Sequence, residues 1–176
     1  EVWGPGQIMD DGSLGAETCL DTIKGAYDEA VAAGKAVGLG LGLKNSGLGN
    51  GFREVTRAVV HFREDGIVEV RHGWTEMGQG VHTVALQVAV EELGIDAGSI
   101  RVIVDTTRQL GFGQTTGSRG TLMAAASVKN ACEQANAGGR KTGVDYMGEY
   151  VVDWTQHLGD PGVENPTIHS AFGYAA

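Results

Sequence analysis

Two short stretches carry the residue types that could do chemistry. In "TEMGQG", residues 75–80, Gln79 stands between Gly78 and Gly80; in "GQTTGSRG", residues 113–120, Thr115, Thr116, Ser118 and Arg119 are spaced by Gly113 and Gly117. Each stretch leads into an apolar-patterned segment, so each reads as a loop ending at a helix N-terminus. Unpaired backbone N–H groups and a partial positive charge at such a terminus suit an anion, phosphate or pyrophosphate above all. The glycines at 78, 80, 111, 113 and 117 let the backbone approach a ligand closely, and Thr83, Thr115, Thr116 and Ser118 supply hydroxyls. Arg119 would oppose the dipole of its own helix, which argues for an anionic neighbour. The plainer alternative is that both clusters are helix caps.

Other chemistries fail on spacing. No G-x-G-x-x-G stands in a strand-to-helix context, because the third glycine position is Asn45 counted from Gly40 and Phe52 counted from Gly47. Neither a phosphate-binding G-x-x-x-x-G-K-[ST] nor a G-x-S-x-G nucleophile elbow is found. His61, His72, His82, His157 and His169 form no i,i+4 pair, and Cys19 and Cys132 lack any CxxC neighbour, so no metal ligand set is expected. Both cysteines read as small buried hydrophobes. With 13 basic against 22 acidic residues the net charge of -9 repels nucleic acid and anionic membranes. No apolar run is long enough to span a bilayer, so a soluble, cytoplasmic protein is expected. The 29 glycines in 176 residues, well above the usual share of about 7%, imply many turns and close backbone contacts.

The elements that must position the two loops follow from periodicity. Residues 1–15 read as an extended leader, and Leu20, Ile23, Tyr27, Ala30 and Val31 mark a helix over 16–34 stopped by Gly34. Strands are expected within 36–72. The first is "VGLGLGLKN" with its alternating leucines, followed by a hairpin of 55–62 and 67–72 turning at Glu64-Asp65-Gly66. Residues 73–136 hold two loop–helix units, with helices at 82–93 and 119–136 and a strand "SIRVIVD" between them. Residues 137–176 read as strands and loops, with a strand at 149–153, a turn at Asp160-Pro161-Gly162 and a last strand after Pro166. Together these make one α+β domain, a mixed sheet with helices packed on it. The chain opens at Glu1 and closes on "HSAFGYAA", inside what reads as a strand, so both ends read as cut.

The run "HGWTEMGQGVHTVALQVAVEELGI" resembles the molybdenum-binding subunit of the xanthine dehydrogenase and aldehyde oxidoreductase family. Around it stand "GIVEVRHG" before, "TTGSRGT" after, and "VGLGLGLKNSGLGNG" further upstream. The glycine-rich upstream stretch is similar to the bacterial branch, which includes selenium-dependent purine hydroxylases. The E-M-G-Q-G-x-H-T run is the specific part, and the resemblance covers roughly residues 5–176. It implies a fragment of a molybdopterin-binding region in an oxidoreductase that hydroxylates an N-heterocycle, as in purine metabolism, or an aldehyde, with oxygen from water.

By position, the resemblance makes Gln79 the residue whose amide faces the molybdenum centre, with Gly78 and Gly80 letting the loop approach. It assigns Gly113, Thr115, Thr116, Gly117, Ser118 and Arg119 to the pterin or its nucleotide extension, in mononucleotide or dinucleotide form. A neutral amide suits the first role, because it donates to a negatively charged oxygen without titrating. For Arg119 an ion pair on its helix stays open. Iron–sulfur clusters and FAD are expected on other domains or subunits, with a small-molecule substrate. The family's general base, a glutamate in a G-E-P motif, has no match here, and Glu54, Glu76, Glu91 and Glu92 do not replace it; Glu76 reads as a hydrogen-bond brace in its loop. The isolated piece is expected to be inactive and to bury its uncovered apolar surface in a homodimer. The reading from a different class is a non-catalytic binding or scaffold module whose glycine loops are ordinary caps.

Overall fold

A computed structural model describes residues 15–111, 115–169 and 171–176; residues 1–14 of the expected leader and Gly113 lie outside these residues, and Gly15, the leader's last residue, instead opens a helix. The described chain forms two compact units. One comprises the described residues up to Phe52 together with Trp154–Ala176, and the other is Arg53–Asp153.

The second unit is a four-stranded mixed sheet in the order β4-β3-β2-β5, with helices packed on it, as the α+β reading expects. Strands β2 (Glu54–Phe62) and β3 (Val68–His72) form the hairpin, turning through Gly66 at φ 81°, and β5 (Asp145–Val152) pairs antiparallel along the other edge of β2. Strand β4 (Ile100–Val104) lies parallel to β3, a pairing that requires a crossover. Helix α2 (Val81–Leu93) supplies it. Gly94, left-handed at φ 62°, ends this helix by donating its N–H to the Val90 carbonyl.

Alternation puts Ala58 and Val60 of β2, Val68 and Val70 of β3 and Tyr146 of β5 on one face, where they pack with Ala85, Ala89 and Leu93 of α2. Helix α3 (Gly120–Ala137) completes this core with Val128, Ala131, Cys132 and Ala135. Its buried stripe is mostly small residues, so its backbone comes very close to β5. A Cβ on Gly148 would lie 2.2 Å from the Ala131 nitrogen and 2.3 Å from the Ser127 carbonyl oxygen. The buried Ser127 hydroxyl is satisfied within the helix, donating to the carbonyls of Met123 at 3.0 Å and Ala124 at 3.1 Å. Cys132 is buried as expected and its thiol is pushed up to about 12, chiefly by burial; Cys19, read from the sequence as buried too, is only partly covered.

In the first unit helix α1 (Gly15–Ala32) matches the sequence pattern and ends with Gly34 at φ 71°, but no residue of it is buried within the described chain. The strand expected from "VGLGLGLKN" is displaced. Residues 35–41 form no regular element, and β1 is Gly42–Ser46, paired antiparallel with β6 (Ala171–Ala175). Alternation describes a face, whereas a strand also needs a partner for its N–H and C=O groups. The partner reaches only 42–46, and Val37, Leu39 and Leu41 stay exposed. The turn at Asp160-Pro161-Gly162 forms with Gly162 at φ 81°. Among the described residues no helix is long and apolar enough to cross a membrane.

Candidate functional site

The two loops singled out by their residue types meet in the second unit. Their bases cross at Gly73 and Gly111. A Cβ on Gly73 would lie 2.4 Å from the Gly111 nitrogen, and one on Gly111 would lie 2.8 Å from the Gly73 oxygen, so only glycine lets the two backbones pass. Beside the crossing, the N–H of Arg57 donates to the Leu110 carbonyl at 2.8 Å, holding the second loop against β2. Further out, the Thr75 N–H donates to the Thr115 hydroxyl at 3.3 Å.

The first loop is organised by its own side chains. Glu76 turns its carboxylate back on the helix start: Oε1 accepts from the N–H groups of Gly78 at 2.7 Å and Gly80 at 3.0 Å, and Oε2 accepts from that of His82 at 3.4 Å. These bonds, that to Gly80 foremost, hold the carboxyl below its usual range. Glu76 is thus the brace its motif suggests, and it fills the anion position that the sequence offered at the N-terminus of α2. Gln79 is exposed and its amide is pinned at both ends. Oε1 accepts from the Met77 N–H at 2.6 Å and Nε2 donates to the Thr75 carbonyl at 2.8 Å, which leaves the second Nε2 hydrogen to offer. Gly78 and Gly80 sit at φ 100° and 81° with nothing within 4 Å of where a Cβ would be. They are needed for backbone conformation, and the outer side of the loop is open.

The base beneath the loops is buried. Trp74 is buried, and its indole N–H donates to the Thr56 hydroxyl at 3.0 Å. It packs with Val81, Met123, Ala124 and Val152, which joins the first turns of α2 and α3. Arg119, expected as a contact to the pterin, turns inward instead. It is 3% exposed, pairs with the equally buried Glu54 at 2.8 Å, and stacks 5.3 Å from the centre of the Trp74 ring. An ion pair on its own helix was the alternative left open at this position; the observed pair instead joins the start of α3 to β2. A charge at that depth requires a partner, and Glu54, many residues away on β2, is invisible to local spacing.

The remaining expected residues stay on the outside. Thr115 is partly covered, Thr116 and Ser118 are exposed, and Gly117 and Ser118 turn the chain into α3 at φ 66° and 51°. Among the described residues no side chain caps the start of α3. The structure thus joins the Gln79 loop to Thr115 through Thr75, turns Arg119 toward Glu54, and leaves Gly113 undescribed. Sequence reasoning missed His72 and His82, whose rings meet with Nε2 to Nδ1 at 3.1 Å. The signal for His72 was its phase, since it shares the core-facing alternation of Val68 and Val70.

A large polar cofactor fits this donor set in part. The open amide hydrogen of Gln79 and the exposed Thr116 hydroxyl offer neutral donors above an apolar, charge-paired floor, whereas the His82 amide of α2 and Arg119 are already engaged. Among the described residues no group of three or more His, Cys, Asp or Glu could hold a bare metal ion. A cofactor that brings its own metal ligands needs no such group.

Comparison with known proteins names such a molecule. The molybdopterin cofactor-binding domain family matches residues 16–156. Aldehyde oxidase 4 of Cavia porcellus is 42% identical over 77 residues, 43% of this chain and 6% of that protein. Xanthine dehydrogenase 1 of Arabidopsis thaliana is 39% identical over 84 residues, 47% of this chain and 6% of that protein. The chain therefore spans only a small part of the curated relatives it matches. Among solved structures, the aldehyde oxidoreductase of Desulfovibrio desulfuricans ATCC 27774 aligns over 99% of this chain and 22% of its own, with TM-score 0.78 and 21% identity, a likeness of fold. CO dehydrogenase of Oligotropha carboxidovorans aligns over 77% of this chain and 20% of its own, with TM-score 0.55 and 26% identity. Because that family's model covers residues 16–156, most of the chain, the chain belongs to the molybdopterin cofactor-binding domain family.

Proposed function

We propose that this chain is the cofactor-holding part of a molybdenum hydroxylase of the xanthine dehydrogenase type, acting on an N-heterocycle or an aldehyde. The bound molybdenum centre would supply two-electron oxidation of the substrate carbon with water as the oxygen source. The chain's own residues do the holding. Gln79 donates its open amide hydrogen toward the cofactor, and Gly78 and Gly80 give the loop its shape. Thr115, Thr116, Gly117 and Ser118 line the second loop. The ionised Glu76 braces the first loop without exchanging protons at neutral pH, since its carboxyl lies below its usual range. Iron–sulfur and flavin parts elsewhere would carry electrons away, in a cytoplasmic enzyme of purine or aldehyde metabolism.

The observation that carries this reading is the pinned amide of the exposed Gln79, fixed by the Thr75 carbonyl and the Met77 N–H with one donor hydrogen left over. A donor held in place before the reaction costs no reorganisation. The same two bonds also favour the competing reading, in which Gln79 merely ties its own loop. Gln79→Ala separates the two. As a cofactor-facing donor its loss lowers kcat in the full-length enzyme by roughly a hundredfold to a thousandfold, with unfolding unchanged. As a loop tie its loss leaves the rate unchanged and loosens residues 75–80, and that result would overturn the proposal.

A further inference from the structure

The geometry points to a second layer of control over the same loop: His72 and His82 form an imidazole staple that closes the base of loop 73–81, which makes both positioning residues for Gln79. His72 is the last residue of β3 and wholly buried, and His82 lies in the first turn of α2, so the pair brackets the loop. The ring centres are 5.1 Å apart and the planes are inclined at 38°.

Hydrogen bonding leaves this pair one neutral arrangement. The Trp74 N–H donates to His72 Nδ1 at 3.0 Å, so that nitrogen carries no proton. A neutral His72 must then carry its proton on Nε2, the nitrogen 3.1 Å from His82 Nδ1. His82 Nδ1 accepts, and a neutral His82 carries its own proton on Nε2. Both nitrogens of the buried ring are thereby satisfied, without which burying an imidazole in phase with Val68 and Val70 would be costly.

The staple reaches the loop tip through bonds already described. The His82 N–H is held by Glu76 Oε2, and Glu76 Oε1 holds Gly78 and Gly80 on either side of Gln79. His82 is therefore fixed by its ring from β3 and by its backbone from the loop. Such a residue transmits the position of the sheet to the loop. An apolar residue at 72 or 82 would fill the space but would remove the polar tie between the two ends of the loop.

The consequence for Gln79 rests on the cofactor reading above, whereas the staple can be tested without cofactor. In the full-length, cofactor-free protein, nitrogen-resolved NMR of labelled histidines is expected to find both rings protonated on Nε2. Hydrogen exchange is then compared between His82→Phe, which keeps a ring and removes the acceptor, and His82→Asn, whose side-chain oxygen can stand where Nδ1 was. Exchange in peptides covering 75–82 should rise roughly tenfold in His82→Phe and return close to the parent rate in His82→Asn, with β2 and β5 unchanged in both. A proton found on His72 Nδ1 in the unsubstituted protein would overturn the staple, and that measurement does not depend on any variant folding. Loop exchange unmoved by His82→Phe would overturn it as well. A staple that passes both tests beside a Gln79→Ala enzyme of unchanged rate would retain the staple and remove the cofactor reading; the opposite pair of results would do the reverse.

Discussion

Replacing Arg119 by methionine is the sharpest way to set the structure against the expectation from residue type. In the folded chain the Arg119 side chain is 4% exposed and that of Glu54 1% exposed, at 2.8 Å. Removing one member of such a pair strands the other charge in a dry environment, which costs about 3–5 kcal/mol. Loss of the stacking on Trp74 adds about 1 kcal/mol. Replacing both members with apolar residues of similar size is roughly neutral, because the desolvation of two charges is relieved together. A double-mutant cycle of Arg119→Met, Glu54→Leu and the pair should therefore return a coupling of about 3 kcal/mol or more. Urea unfolding of the full-length protein reads the totals, and hydrogen exchange in β2 and α3 localises the loss to this unit. If Arg119→Met unfolded like the parent yet bound cofactor poorly, the guanidinium would be facing a ligand and the inward assignment would be wrong.

Two further outcomes follow from close packing and from burial. Gly148→Ala places a methyl group against the Ala131 nitrogen and the Ser127 carbonyl, backbone atoms that cannot rotate away, so α3 must lift from β5; a loss of about 3 kcal/mol in urea unfolding is expected, and an unchanged midpoint would contradict the packing. The His72 imidazole is pushed down to about 4, first by burial and then by the charge of His82, with Glu76 opposing. Its ordinary value is about 6.5, so the unfolded chain takes up the proton first as pH falls, and stability that is complete above pH 6.5 is lost toward pH 4 by about 3 kcal/mol. His72→Phe should flatten that slope in unfolding measured from pH 7 to 4.5, and an identical slope in the variant would show that other groups cause it.

What could be read from the sequence was whatever is local. The hairpin declared itself through Glu64-Asp65-Gly66 between β-branched runs, and α2 and α3 through apolar periodicity with Gly94 as a stop. The Gln79 loop was legible as a unit because its bonds join near neighbours: Thr75, Glu76, Met77 and Gly80 lie within four residues of one another or of Gln79. What escaped depends on partners distant in the chain. Glu54 neutralises Arg119 across the sheet, His72 meets His82 from the far end of a loop, and Gly73 meets Gly111 from another loop altogether. The strand at "VGLGLGLKN" was misplaced for the same reason, since periodicity cannot say where the pairing strand ends.

The most direct test of the whole account is the molybdenum and pterin content of the full-length protein purified after complete maturation, measured by elemental analysis and by fluorescence of the oxidised pterin. Molybdenum and pterin are expected in equal amounts, close to one of each per copy of this domain. Neither metal nor pterin in an intact, matured protein would contradict it and leave Gln79 as a tie within its own loop.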